Sequence, residues 1–204
     1  MRFLDFLFPP RADEQAIRDV SVDDLLTLLA PQLVPYTRPS TVALLPFFDQ
    51  RVRAALHEAK YHGSEHAFSL LSAVLLDYLR DVDDVGFHTP KLCLVPVPLG
   101  NERRKKRGWN QVEEITKRIV AELESTIDTT LLVRTRETLS QVSLPRDRRE
   151  ENMRGAFKAT RPADPLYTYV LIDDVLTTGA TLQAAIHALQ SAGATHIIPL
   201  ALAH

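Results

Sequence analysis

Apolar positions along the chain follow two periods, and the places where one gives way to the other mark its elements. Tyr169 to Ile172 is a continuous β-branched and aromatic run, which predicts a parallel strand covered on both faces. Just beyond it Leu182, Ala185, Ile186 and Leu189 recur at helical spacing, with Gly193 placed to end the helix in the left-handed conformation. Thr41 to Leu45 and Lys91 to Val97 read as further strands, the second ending at the prolines that follow it. Asp49 is set to cap a helix carrying Val52, Ala55, Leu56 and Ala59, which Gly63 closes. Ser64 to Arg80 forms the next, burying Phe68, Leu71, Leu75, Tyr78 and Leu79. A third begins at Asn110 or Gln111 and turns Val112, Ile115, Ile119, Val120 and Leu123 inward.

The first 40 residues break this rhythm. An apolar start meets Pro9 and Pro10, a short helix begins at Ser21 with Asp24 completing a capping box, and Pro31, Pro35 and Pro39 punctuate the exit. The expected organisation is an appendage over residues 1–40 and one α/β domain over residues 41–204. From Leu131 a short strand leads into a polar, arginine-bearing stretch that returns to the core at Gly155 to Phe157. This stretch reads either as a mobile segment over a site or as an exposed charged helix around Pro145 to Met153.

Composition narrows the class. With 204 residues, 45% hydrophobic and 25% charged, the chain is a globular protein of ordinary domain size. No apolar run reaches membrane-spanning length, and Asp5 interrupts a start too short for a signal peptide, so a cytoplasmic protein with no membrane partner is expected. Cys93 is the single cysteine, which excludes an intrachain disulfide and a cysteine-rich zinc site; no zinc is expected. The seven histidines show no metal-like spacing, and His62 with His66, the nearest to an i, i+4 pair, reads as surface. Net charge is only -2, but residues 91–160 hold 15 basic against 10 acidic residues and are the natural seat for a polyanion.

The candidate chemistry lies where strand gives way to helix. After Ile172 come Asp173 and Asp174, then Val175, Leu176, Thr177, Thr178, Gly179, Ala180 and Thr181. A turn from a strand's carboxyl end into a helix's amino end offers backbone N–H groups and a helix dipole to an anion. The threonines add hydroxyl donors, and Gly179 removes a Cβ from the bend. Two carboxylates would repel a bare phosphate, so the ligand should also offer hydroxyls or a divalent cation; a ribose 5-phosphate derivative offers hydroxyls beside its phosphate. A second strand end leads through Pro98, Leu99 and Gly100 into five consecutive basic residues, Arg103 to Arg107, and Trp109. That loop reads as a solvated charged loop, as a nucleic-acid contact with Trp109 as a stacking platform, or as a pyrophosphate site.

Together these stretches resemble the type I phosphoribosyltransferases, and more narrowly the ComF-like (competence protein F) family. The resemblance rests on Ile172 to Thr181, Val95-Pro-Val-Pro98, Arg107-Gly-Trp-Asn-Gln111, Arg134 to Gln141, and Arg149-Glu-Glu-Asn152 before Gly155-Ala-Phe157. Family members commonly carry a cysteine-rich zinc ribbon after a Phe-Pro-Pro start; here Phe8-Pro9-Pro10 is followed by no cysteine, and Trp109 stands where phenylalanine is usual. The resemblance implies a central, mostly parallel sheet flanked by helices and the binding of phosphoribosyl pyrophosphate with Mg2+. It assigns the 5-phosphate to Thr177 through Thr181, and the ribose hydroxyls to Asp173 and Asp174, which would also serve the metal indirectly. Pyrophosphate and magnesium fall to the loop after Pro98 with Arg107, while Arg134 and Arg136 would close over the site. The acceptor is unspecified, residues 1–40 being the only obvious material for a hood over it. A transferase, a non-catalytic sensor of the sugar diphosphate, and a factor binding single-stranded DNA in uptake all remain open, as does an oligomer.

Overall fold

The computed structural model describes residues 12–84, 91–123, 125–136 and 152–204. Among them are helices α1 (Ala12–Ile17), α2 (Val22–Leu26), α3 (Gln50–Tyr61), α4 (Glu65–Asp84), α5 (Asn101–Arg107), α6 (Gln111–Ile119) and α7 (Ala180–Ser191). The strands are β1 (Gln32–Val34), β2 (Thr41–Leu45), β3 (Lys91–Pro96), β4 (Ser125–Ile127), β5 (Leu132–Arg134), β6 (Phe157–Ala159), β7 (Tyr167–Val175) and β8 (His196–Ala203).

Six strands form one sheet in the order β1-β2-β8-β7-β3-β4, parallel throughout except for β1 at one edge. β5 and β6 form a separate antiparallel pair. The pleat sends alternate residues to opposite faces. Leu94, Val170, Ile172, Leu200 and Leu202 meet α3, α4 and α6 in one core, whereas Val95, Tyr169, Leu171 and Ala201 meet α7 in the other. The architecture is mixed α/β with a mostly parallel central sheet between helices, as the resemblance implies.

Local chemistry sets the helix ends where the sequence places them. Ser21 accepts from the Asp24 N–H while the Asp24 carboxylate accepts from the Ser21 N–H, completing the capping box of α2. Asp49 caps α3 through the Arg51 N–H at 2.8 Å. Asn110 caps α6 through the Val112 N–H at 3.1 Å, and its amide donates to the Val97 carbonyl at 3.0 Å, fixing this helix to the end of β3.

Two sequence expectations need correction. The basic stretch is not a loop: Asn101–Arg107 is helical, its last turn holding Arg104 to Arg107 and its end closed by Gly108 at φ 92°. Cations near a helix C-terminus complement its dipole, and this offsets their mutual repulsion. The strand predicted to end at Ile172 runs on to Val175, so both aspartates belong to β7. Within the expected appendage, Gln32–Val34 pairs antiparallel with β2, and Ile17 and Leu25 are buried in the α3/α4 core. Residues 137–151 of the polar stretch, with most of the alternative helix around Pro145 to Met153, and the Phe8-Pro9-Pro10 start lie outside the described residues.

The β1–β2 connection crosses the turn that leads into α7. Gly179 has φ +78°, and a Cβ built there would stand 2.7 Å from the Tyr36 carbonyl oxygen and 3.0 Å from the Thr37 methyl. Gly155 has a similar φ of +66° but open space around it. Alanine at either position carries left-handed strain of about 1–2 kcal/mol, and only Gly179→Ala adds a collision with backbone. Chemical denaturation should therefore show Gly179→Ala losing more stability than Gly155→Ala; equal losses would show that the Tyr36 contact is unimportant.

Candidate functional site

β3 and β7 are neighbours in the sheet, but the chain leaves them in opposite directions, towards β4 from one and through α7 to β8 from the other. The crevice outside their carboxyl ends is a topological switch point, the usual ligand position in an open parallel sheet. The Val97 N–H donates to the Ile172 carbonyl at 2.8 Å, holding the two strand ends together. Both stretches singled out in the sequence therefore open on one crevice, Pro98, Leu99 and Gly100 from one side and Asp173 through Thr181 from the other.

The two aspartates occupy different surroundings. Asp174 faces α3 and α6: its Oδ2 accepts from Lys60 Nζ at 3.1 Å and from Gln111 Nε2 at 2.6 Å, and its Oδ1 from the Val175 N–H at 2.7 Å. Burial opposes ionisation of Asp174, but the Lys60 charge and these hydrogen bonds outweigh it and hold the carboxyl below its usual range. Lys60 is correspondingly raised, chiefly by the Asp174 charge. Asp173 faces the turn, where its Oδ1 accepts the Asp174 N–H at 2.9 Å. Burial, reinforced by the adjacent Asp174 charge, pushes Asp173 up to about 7, with Lys60 and Arg134 drawing it back.

Asp173, Val175, Leu176, Thr177 and Gly179 through Leu182 line a small cup of about 20 Å3 at the amino end of α7, enough for one water or one oxyanion oxygen. Leu176 anchors the turn from behind, buried and donating its N–H to the Ala203 carbonyl at 2.8 Å, while Thr177 is exposed. The Thr178 hydroxyl lies 3.5 Å from the Ala180 N–H. Across the crevice, the Arg107 guanidinium donates to the Gln111 side chain, which in turn donates to Asp174, and it stacks 5.4 Å from the Tyr61 ring. Burial lowers Arg107 from the ordinary arginine range while the Asp174 charge opposes that fall. Gly100 caps α5 without a side chain.

Arg134 packs its guanidinium 5.5 Å over the Phe157 ring and 3.8 Å from the Met153 sulfur, and its charge reaches Asp173. Arg136 donates to the carbonyls of Asn152 and Arg154 at 2.9 and 2.8 Å. Trp109 is not a free platform: its indole N–H donates to the Ala59 carbonyl at 2.9 Å and its ring packs over Gly63. Lys60 is the site residue that the sequence reading missed. It sits 114 positions from its partner Asp174, and no local pattern marks it. Gln111 lay within a quoted motif but without a role.

Two larger clefts flank the crevice. One, of about 470 Å3, is lined by His57, Lys60, Tyr61, Asp174 and Val175 among others. The second, of about 780 Å3, lies on the outer side of α7 between the β1–β2 connection and β6. Arg38, Arg154, Lys158, Arg161 and His187 line it, and among the described residues no carboxylate does. No helix among the described residues is long and apolar enough to cross a membrane.

No family model matches the chain. Among curated proteins it is similar to the DNA utilization protein YhgH of Escherichia coli (strain K12), 32% identical over 128 residues, which cover 62% of this chain and 56% of that protein. The protein of the same name in Salmonella typhimurium is 31% identical over the same shares. Competence protein F of Haemophilus influenzae is 30% identical over 124 residues, 59% of this chain and 54% of that one. The matched region spans about half the length of these relatives. Together with the crevice motifs that first suggested it, these matches support the resemblance to the ComF-like family.

Proposed function

We propose that the crevice between β3 and β7 binds magnesium-complexed phosphoribosyl pyrophosphate and transfers its phosphoribosyl group to a nitrogen acceptor, in the manner of a type I phosphoribosyltransferase. The observation that carries this reading is the convergence, at one switch point, of an acid pair, an oxyanion-sized cup and a basic helix. The cup and the Thr177, Thr178 and Thr181 hydroxyls suit the 5-phosphate, and Asp173 the ribose hydroxyls. The Pro98 to Gly100 connection with Arg107 suits the pyrophosphate. Carboxylate, hydroxyl and phosphate oxygens are the hard donors that magnesium prefers, so the residues fit the ion as part of the sugar diphosphate complex.

In such a transfer the acceptor's lone pair forms a bond to C1 as the C1–O bond to pyrophosphate breaks, and the electron pair leaves with the diphosphate, whose charge magnesium would help to neutralise. The protein's part is to align the two partners and neutralise the departing charge. Lys60 and Gln111 hold Asp174 ionised and fixed, which leaves Asp173 as the carboxylate open to the ligand. A cytoplasmic setting belongs to the same proposal.

A second reading comes from the carboxylate-free basic cleft on the outer side of α7, taken with relatives named for DNA utilization and competence. We infer a contact for single-stranded nucleic acid there, rather than around Trp109, whose ring is already packed.

Calorimetric titration of magnesium and phosphoribosyl pyrophosphate should show binding that Asp173→Asn with Asp174→Asn weakens by at least about tenfold, equivalent to about 1.4 kcal/mol; no heat with the intact protein would reject the assignment. Pyrophosphate release with a panel of bases and amines then tests turnover. Asp173 titrates near 7 when folded and near 4 when unfolded, so the folded state holds this proton more tightly. Its contribution to stability is present at about pH 4 and lost as pH rises to about 7. Melting curves should show Asp173→Asn gaining on the parent at about pH 8 and converging with it near pH 4; a constant gap would refute the shift. Single-stranded DNA affinity should fall steeply with salt and weaken on Arg154→Ala with Lys158→Ala but not on Lys105→Ala with Lys106→Ala; the opposite pattern would return the contact to α5.

A further inference from the structure

We propose that His57, Glu58 and His62, at the carboxyl end of α3, form a site for a divalent transition-metal ion such as zinc. One ligand atom from each of the three lies within 4.8 Å of the others. The His62 Nε2 stands 3.8 Å from the Glu58 Oε1, and the His57 and His62 rings are 5.7 Å apart. Small rotations of the two exposed imidazoles close such distances to those of a shared ion.

The spacing hides the cluster in the sequence. Residues five apart diverge around a continuous helix, which turns about 100° per residue. Here the helix ends at Tyr61, and His62 leaves it at φ −123° and ψ −8° before Gly63 turns left-handed. That break swings the His62 ring back over Glu58 and towards His57. His66, the neighbour that the sequence suggests for His62, instead hydrogen-bonds the Ile17 carbonyl at 2.9 Å.

The surroundings suit a metal in two respects. Glu58 is 1% exposed, so its carboxylate is held in place by the core while the imidazoles approach from the solvent side. His57 Nδ1 lies 2.9 Å from Asp13 Oδ2, an outer carboxylate that orients the ring and leaves Nε2 to face an ion. Two imidazoles and one carboxylate are a zinc donor set, poorly matched to magnesium or calcium, and three protein ligands leave a fourth position open. His57 also lines the 470 Å3 cleft that Asp174 borders, so the cluster lies at the edge of that cleft. The lone cysteine excludes a ribbon-type site, not one built on imidazole. The assignment does not depend on phosphoribosyl pyrophosphate binding.

Titration of zinc or cobalt(II) sulfate into the full chain tests it. The expected result is one stoichiometric equivalent, seen by calorimetry and, with cobalt, as the visible absorption of a low-coordinate ion. His62→Ala and His62→Gln should each abolish it, as should His57→Ala. Asp13→Asn should weaken it by about 10- to 100-fold. Unchanged melting of the metal-free variants would show that they remain folded, since both histidines are exposed. Absence of stoichiometric uptake by the parent, or uptake that survives the His57 and His62 substitutions, would overturn the site.

Discussion

Everything at the crevice depends on how the end of β7 keeps two adjacent carboxylates in place. Consecutive residues of a strand leave it on opposite faces, and here that rule separates the pair. Asp174 turns towards α3 and α6, where Lys60 and Gln111 meet it, and Asp173 turns towards the cup at the start of α7. Two like charges side by side would otherwise raise each other's proton affinity. Satisfying one with an ammonium and an amide leaves the other as the group whose protonation can change.

That division explains what the motif Arg107 to Gln111 accomplishes physically. Gly108 ends α5 with a left-handed residue, Trp109 packs against α3, Asn110 caps α6 and ties it to β3, and Gln111 bridges Arg107 to Asp174. Four of these five residues build the scaffold around the site. Arg107 alone also presents a charge to the crevice.

Much of this was legible in the sequence because the signals are local. The capping residues Ser21, Asp49 and Asn110, the helical spacing of Leu182 to Leu189 and the apolar run of β7 depend on neighbours within a few positions, and each lies where it was expected. The charged helix α5 was harder to read, since a run of like charge suggests a loop until the dipole and Gly108 are counted. Lys60 could not be read at all, because its meaning is a contact across 114 residues. The imidazole pair at His57 and His62 likewise depends on where α3 stops, not on how far apart the residues lie.

The packing of Tyr36 against Gly179 has a consequence for binding thermodynamics. With backbone pressed against one side of the turn, the cup cannot widen in that direction to accommodate a poorly fitting guest. Its N–H and hydroxyl groups are thus ordered by folding, so that an anion bound there, as proposed, would meet little ordering cost at encounter. Under the proposed function, a tetrahedral oxyanion would gain from that preorganisation more than a flat carboxylate, which would leave part of the donor set unmatched.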